Sequence, residues 1–251
     1  MRAWEIVGRA RAPDGTEMAL ARRGEEWVVR YAGRVLMSSR THGSEDALAA
    51  LALSRARRLR TVLIGGLGLG YTLRAALDRA PPGARVVVAE VVPEIVAWNR
   101  GPVAHLAGRP LDDPRVSVEV RDVAAVVAEA RGAFDAILLD VDNAPGSPVL
   151  RGNERLYGEA GVRACRRALA DGGVLAVWSA GPDDRYLARL RSAGLGGEAR
   201  AVAPLGAGRG RHVVFLASKV AATGRCAVGP ATRRTRPGVG RVCRRRWSSN
   251  N

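Results

Sequence analysis

Apolar and polar residues alternate through the first 40 positions, in short runs separated by turn-forming pairs. "AWEIVGRA" leads to Pro13-Asp14-Gly15 and "TEMALA" to Arg23-Gly24. "EWVVRY" then turns at Ala32-Gly33 into "RVLMS". This spacing predicts a small antiparallel β unit over residues 1–40. "SEDALAALALSRARR" follows with helical composition, and Ser44 is its expected N-cap.

From Arg60 the period changes. Apolar runs at 61–65, 85–90, 115–120, 134–140 and 173–179 alternate with helical stretches near 70–79, 93–100, 122–131 and 154–169, and a further helix is expected over 183–193. Continuous apolar strands with short crossovers predict a parallel sheet covered on both faces. After the last helix come "EARAVAPL", a glycine turn from Gly206 to Gly210, and "RHVVFLAS". That hairpin makes the final strand antiparallel. Five parallel strands closed by a hairpin resemble the seven-stranded doubly wound α/β sheet of S-adenosylmethionine (SAM)-dependent transferases. The expected organisation is a β unit at 1–40, a SAM-type Rossmann-like domain at 41–218, and a tail at 219–251.

Within this frame, "VLIGGLGLGYTLRAAL" places Gly65, Gly66, Gly68 and Gly70 between the first parallel strand and its helix. Glycines let the backbone turn with positive φ and approach a ligand closely. The spacing is G-x-G-x-G, not the G-x-G-x-x-G that seats a pyrophosphate, and no Gly-Lys-Ser/Thr marks a P-loop. Glu90 ends the second strand, where an acid accepts hydrogen bonds from ribose hydroxyls. Asp122 follows the third strand, in place to read an adenine amino group, to cap the helix "VAAVVAEA", or to do both. Adenosine without a diphosphate fits these positions, which favours SAM or decarboxylated SAM over NAD.

"AILLDVDNAP" runs an apolar strand into Asp140 and Asp142. Ionised carboxylates are costly at the end of a buried strand unless something occupies them. Asp140 is placed at the carboxyl end of the strand beside the nucleotide. Asp142 either holds a second cationic group or forms an Asx turn with Asn143 before Pro145. Trp178, Asp183 and Tyr186 follow the fifth strand and either line the pocket mouth or form an exposed strand-end Trp with a capping Asp, so no role is assigned, and Cys165 reads as a core residue.

Charge modifies this picture only at the C-terminus. The net charge is +16 with 40 basic residues, nine of which lie in 219–251 without an acid. The remainder carries 31 basic against 24 acidic residues, a modest +7. The tail is expected to be solvated and disordered, with a nucleic-acid arm as its alternative; no other nucleic-acid contact is expected. No run of about 18 apolar residues predicts a membrane span. The first residues lack the apolar core of a signal peptide, so the chain reads as cytoplasmic. The three cysteines lack metal-ligand spacing, and with three histidines no metal site is expected.

From Trp27 to Ser218, about three quarters of the chain, these residues resemble the spermidine synthases, the polyamine aminopropyltransferases. "LIGGLGLG" is similar to that family's G-G-G-D-G-G loop, and Glu90 and Asp122 match its nucleoside-binding acids. "LLDVDNAP" corresponds to its D-S-T-D-P segment, with Asp140 at the catalytic aspartate. "NERLYGEAGVRACRRALADGGVLAV" resembles the helix and strand that follow. The resemblance implies decarboxylated SAM or SAM as co-substrate, a small amine as acceptor, Asp140 and Asp142 in catalysis, and a homodimer. The sequence also departs from the family. Gly68 stands where the loop carries Asp, "EDALAAL" replaces D-E-x-x-Y-H-E, a tyrosine near "EAG" is absent, and Asn143 takes the place of the second aspartate. A small-molecule methyltransferase and a non-catalytic nucleoside-binding protein are the alternative readings.

Overall fold

The computed structural model describes residues 3–141, 154–203 and 212–220. Four antiparallel strands come first: β1 (Glu5–Arg11), β2 (Glu17–Arg23), β3 (Glu26–Tyr31) and β4 (Arg34–Ser38). They pair in chain order. The turns fall at the expected pairs, with Gly15, Gly24 and Gly33 all at positive φ, as tight hairpin turns require. Tyr31 donates its hydroxyl to Asp14, which ties the first turn to β3 at 2.5 Å.

α1 (Gly43–Leu53) begins before the expected cap. His42, not Ser44, occupies the N-cap position and makes no side-chain capping bond. The amides of Glu45 and Asp46 both reach the His42 carbonyl, which starts the helix ahead of Ser44. The Ser44 hydroxyl instead donates to Glu45 at 2.6 Å.

The large sheet holds β5 (Thr61–Gly65), β6 (Arg85–Ala89), β7 (Val116–Glu119), β8 (Phe134–Leu139), β9 (Leu169–Ser179), β10 (Leu195–Val202) and β11 (His212–Lys219). Its order is β10-β11-β9-β8-β5-β6-β7. β11 is antiparallel to both neighbours and the other internal pairings are parallel. This is the SAM-dependent transferase-type sheet expected from the strand count and the closing hairpin. The glycine turn at 206–210 lies outside the described residues.

The connecting helices are α2 (Tyr71–Leu77), α3 (Pro93–Arg100), α4 (Val123–Glu129), α5 (Glu154–Tyr157), α6 (Glu159–Ala168) and α7 (Asp184–Ser192). The single helix expected over 154–169 is therefore two, divided at Gly158. β9 starts at Leu169, earlier than expected, because Leu169 pairs with Phe134 across a register irregularity.

Strand residues divide between two cores by the period of two. Val62, Ile64, Val86, Val88, Ala136 and Leu138 face one core, which also holds Leu20, Val29, Leu48, Leu73 and Trp98. Leu63, Val87, Ile137 and Leu139 face the other, with Val127, Val162, Cys165, Tyr186 and Phe215. The small sheet thus shares an apolar core with one face of the large one, and the described residues lie in one compact unit. Among them no helix is long and apolar enough to cross a membrane.

Lys219 corrects the start expected for the tail. It is the last residue of β11, and its ammonium donates to the Leu169 carbonyl at 2.7 Å and lies 3.3 Å from Asp171. A chain ending after Val220 should retain its melting temperature, as measured by circular dichroism. One ending after Ser218 loses the contact with Leu169 and should melt lower.

Candidate functional site

The site lies at the carboxyl ends of β5, β6 and β8, where open α/β sheets take their ligands. Backbone bonds lock the three ends together. The Gly66 amide donates to the Ala89 carbonyl and the Asp140 amide to the Gly65 carbonyl, both at 2.9 Å. Gly66 has φ +87°, and a Cβ there would lie 2.4 Å from the Asp140 carbonyl oxygen. Only glycine accepts both constraints. Gly68 and Gly70 also take positive φ, at +55° and +85°, and Gly70 precedes the first turn of α2. Gly65 has a different reason: its Cβ would meet Val123 at 2.8 Å.

Glu90 is 5% exposed and bonds the loop directly. One carboxylate oxygen accepts from the Leu67 amide and the other from the Val92 amide, both at 2.9 Å. Burial raises its pKa, while the backbone amides at Val92 and Leu67 pull it down. Asn99, which the sequence reading passed over, completes the support: its Nδ2 donates to the Gly68 carbonyl at 2.8 Å and to the Ile95 carbonyl at 2.9 Å. Asp122 is exposed and caps α4, accepting from the Ala124 amide at 2.8 Å.

Two cavities meet at this loop. The first is lined by Gly66, Gly68, Glu90, Asp122 and Asp140, with Val91 and Ile95 as apolar walls. Five of the residues singled out in the sequence thus border one space. Gly65 and Gly70 shape the loop without lining either cavity, and Asp142 lies outside the described residues. The second cavity contains Glu45, Tyr71, Thr72, Trp178 and His212. Met37, Gly68 and Asp140 border both. Of the three unassigned residues after β9, Trp178 lines the second cavity. Asp183 caps α7 through the Tyr186 amide at 2.9 Å, and Tyr186 is wholly buried against Phe215.

Asp140 stands where the cavities join. One oxygen accepts a short hydrogen bond from the Thr72 hydroxyl. Burial and the Glu45 charge push its pKa up to about 7, against the pull of that hydroxyl. Tyr71 is pushed up to about 12 by burial and by Glu45 and Asp46. Its ring stacks on His42 at 4.1 Å between centroids. The second cavity therefore presents two carboxylates and an aromatic wall, a surface suited to a small cation.

Compared with models of known protein families, the chain matches none. Among curated proteins it is similar to polyamine aminopropyltransferases. That of Mycobacterium tuberculosis is 29% identical over 188 residues, 71% of this chain and 35% of the relative. That of Nitrosomonas europaea is 34% identical over 133 residues, 52% of this chain and 39% of the relative. The chain thus resembles the polyamine aminopropyltransferases at about 30% identity. The matches span little more than a third of the length of these curated relatives. Spermidine synthase from Thermotoga maritima superposes with a TM-score of 0.71 at 19% identity, over 85% of this chain and 72% of that one. A spermidine synthase in complex with the transition-state analogue AdoDATO gives 0.70, also at 19% identity. At that identity the likeness speaks for the fold. The loop glycines and Glu90 were legible as a spaced pattern. Thr72 and His212 were not, because they come from different elements and carry no spacing signal, while Trp178 and the "EDALAAL" segment that begins at Glu45 were noted without an assigned role.

The contact at Gly66 yields a direct test. Gly66→Ala combines positive-φ strain with a clash against backbone, and should cost about 2–5 kcal/mol in urea unfolding. Gly15→Ala serves as the control, since its φ is +84° with nothing within 4 Å of the added Cβ. It should cost only the strain, about 1 kcal/mol. Equal losses would mean that the loop relaxes away from Asp140.

Proposed function

We propose that this spermidine synthase-like chain transfers the aminopropyl group of decarboxylated SAM to a small amine. The observation that carries the reading is Asp140, a carboxylate shared by the cavity that Glu90 and Asp122 line and a second cavity rich in acid and aromatic side chains. The names of the curated relatives support the same chemistry.

In this reading Glu90 accepts from the ribose hydroxyls through lone pairs that the Leu67 and Val92 amides leave free. Asp122 faces the adenine edge, and Val91 and Ile95 sandwich the base. The glycine loop brings the sulfonium against Gly68, beside Asp140. The amine nitrogen attacks the carbon attached to sulfur, the carbon–sulfur bond breaks, and neutral methylthioadenosine leaves. The proton displaced from the amine passes to Asp140 as general base. Glu45 holds the positive charge of the acceptor at the far side. Transfer of a methyl group from SAM would use the same nucleoside cavity but needs no second carboxylate, so Glu45 favours the aminopropyl reading.

Two variants test the assignment. Glu90→Gln removes a charged acceptor worth about 1.5–3 kcal/mol, so methylthioadenosine affinity measured by calorimetry should fall about 10–100-fold. Unchanged affinity would remove Glu90 from the ribose.

Asp140→Asn keeps the shape and deletes the base. Turnover of decarboxylated SAM with putrescine, diaminopropane or cadaverine should fall about 10²–10⁴-fold with nucleoside affinity little changed. Raising the pH should recover part of the loss, because more amine arrives deprotonated. If the wild type binds methylthioadenosine but turns over no amine, the chain is a nucleoside-binding protein and the transferase reading fails.

A further inference from the structure

Asp140 depends on neighbours that no sequence pattern singled out. Thr72 is the second residue of α2 and only 2% exposed. A buried hydroxyl must find a partner, and this one donates to Oδ2 of Asp140. The other oxygen, Oδ1, has no hydrogen-bond partner among the described residues. Glu45 reaches the same cavity from the first turn of α1, where its carboxylate accepts from Ser44.

We propose that Thr72 is the positioning residue of Asp140, turning Oδ1 toward the acceptor cavity and favouring the ionised carboxylate, while Glu45 opposes it by favouring the protonated form. The inference rests on Asp140 being the base of the proposed transfer, but its physical content concerns Asp140 alone. A hydroxyl that donates to a carboxylate stabilises the charged form and fixes its rotamer. A second carboxylate in the same cavity destabilises that form. The balance sets the pH at which an empty site becomes able to take a proton from an amine. A cation entering between the two acids would neutralise the repulsion and release the proton held there.

The groups facing Asp140 are few. α1 presents Glu45, α2 presents Thr72 and the Tyr71 phenol, and β11 presents His212 across the second cavity. On the nucleoside side stand Glu90, Asp122 and Arg121. Arg121 already pairs with Glu129 at 2.6 Å and Glu119 at 3.6 Å. Among these described residues none brings an unshared permanent cation to Asp140, so the Thr72 hydroxyl is its direct hydrogen-bonding support.

The test uses the full chain with ¹³C-carboxyl-labelled aspartate, read by NMR against pH. The Asp140 resonance is identified by its loss in Asp140→Asn. In the wild type its midpoint should lie near the value of about 7 given above. Thr72→Val should move that midpoint to higher pH, Glu45→Gln should move it lower, and Thr72→Ser should restore it. In kinetics, the acidic limb of kcat/KM should move in the same directions. Thr72→Val should lose about tenfold in rate below the limb for each unit of displacement and little above it. A midpoint unmoved by Thr72→Val, or moved equally by Thr72→Ser, would overturn the positioning role. The expected NMR shifts in a protein inactive on every amine would leave Thr72 its role and sink the aminopropyl reading instead.

Discussion

Everything in the site depends on the backbone contact between the first glycine of the turn and the end of β8. Gly66 lies so close to the Asp140 carbonyl that any side chain would part the two strands. The bonds from Gly66 to Ala89 and from Asp140 to Gly65 then hold three strand ends in one cluster. The loop and the acid are thus one rigid feature. A ligand resting on the glycine loop is beside Asp140 with no rearrangement of the described backbone.

Around that feature the protein gathers a buried Glu90 and a partly exposed Asp140, and each carboxylate is supported differently. Glu90 receives two backbone amides, which keep a nearly buried acid tied to its own strand end and to the loop. Asp140 receives one hydroxyl and the repulsion of Glu45. Desolvation makes such an arrangement unfavourable in the empty protein. For Asp140 the sign follows from its raised pKa. The group costs nothing where it is protonated in both folded and unfolded chains, and its full penalty applies above about pH 7, where both ionise. A cation bound between the acids would return that stability.

The small N-terminal sheet contributes to this through Met37. That residue, at the end of β4, borders both cavities and lies 3.2 Å from where a Cβ at Gly68 would be. The family loop carries an aspartate where Gly68 stands. Here a thioether stands beside that position, so this part of the cavity is less polar than the part lined by Glu45 and Asp140.

The sequence by itself determined the elements and the half of the site built on the glycine loop and Glu90. Period-two runs, glycine turns and continuous apolar strands follow from local sterics and burial, so the β unit, the parallel strands and the closing hairpin were legible. Gly66, Glu90, Asp122 and Asp140 were legible too, because strand-end positions are set by the same pattern. Helix boundaries were less so. Ser44 lost the cap to His42, and Gly158 divided a helix that composition alone would continue. Only the tertiary structure decided what surrounds Asp140. Glu45, Thr72, Trp178 and His212 come from α1, α2, β9 and β11, and packing of these elements brings them to one cavity. Their chemistry is a property of distance and desolvation, which residues far apart in the chain acquire only when the layers close.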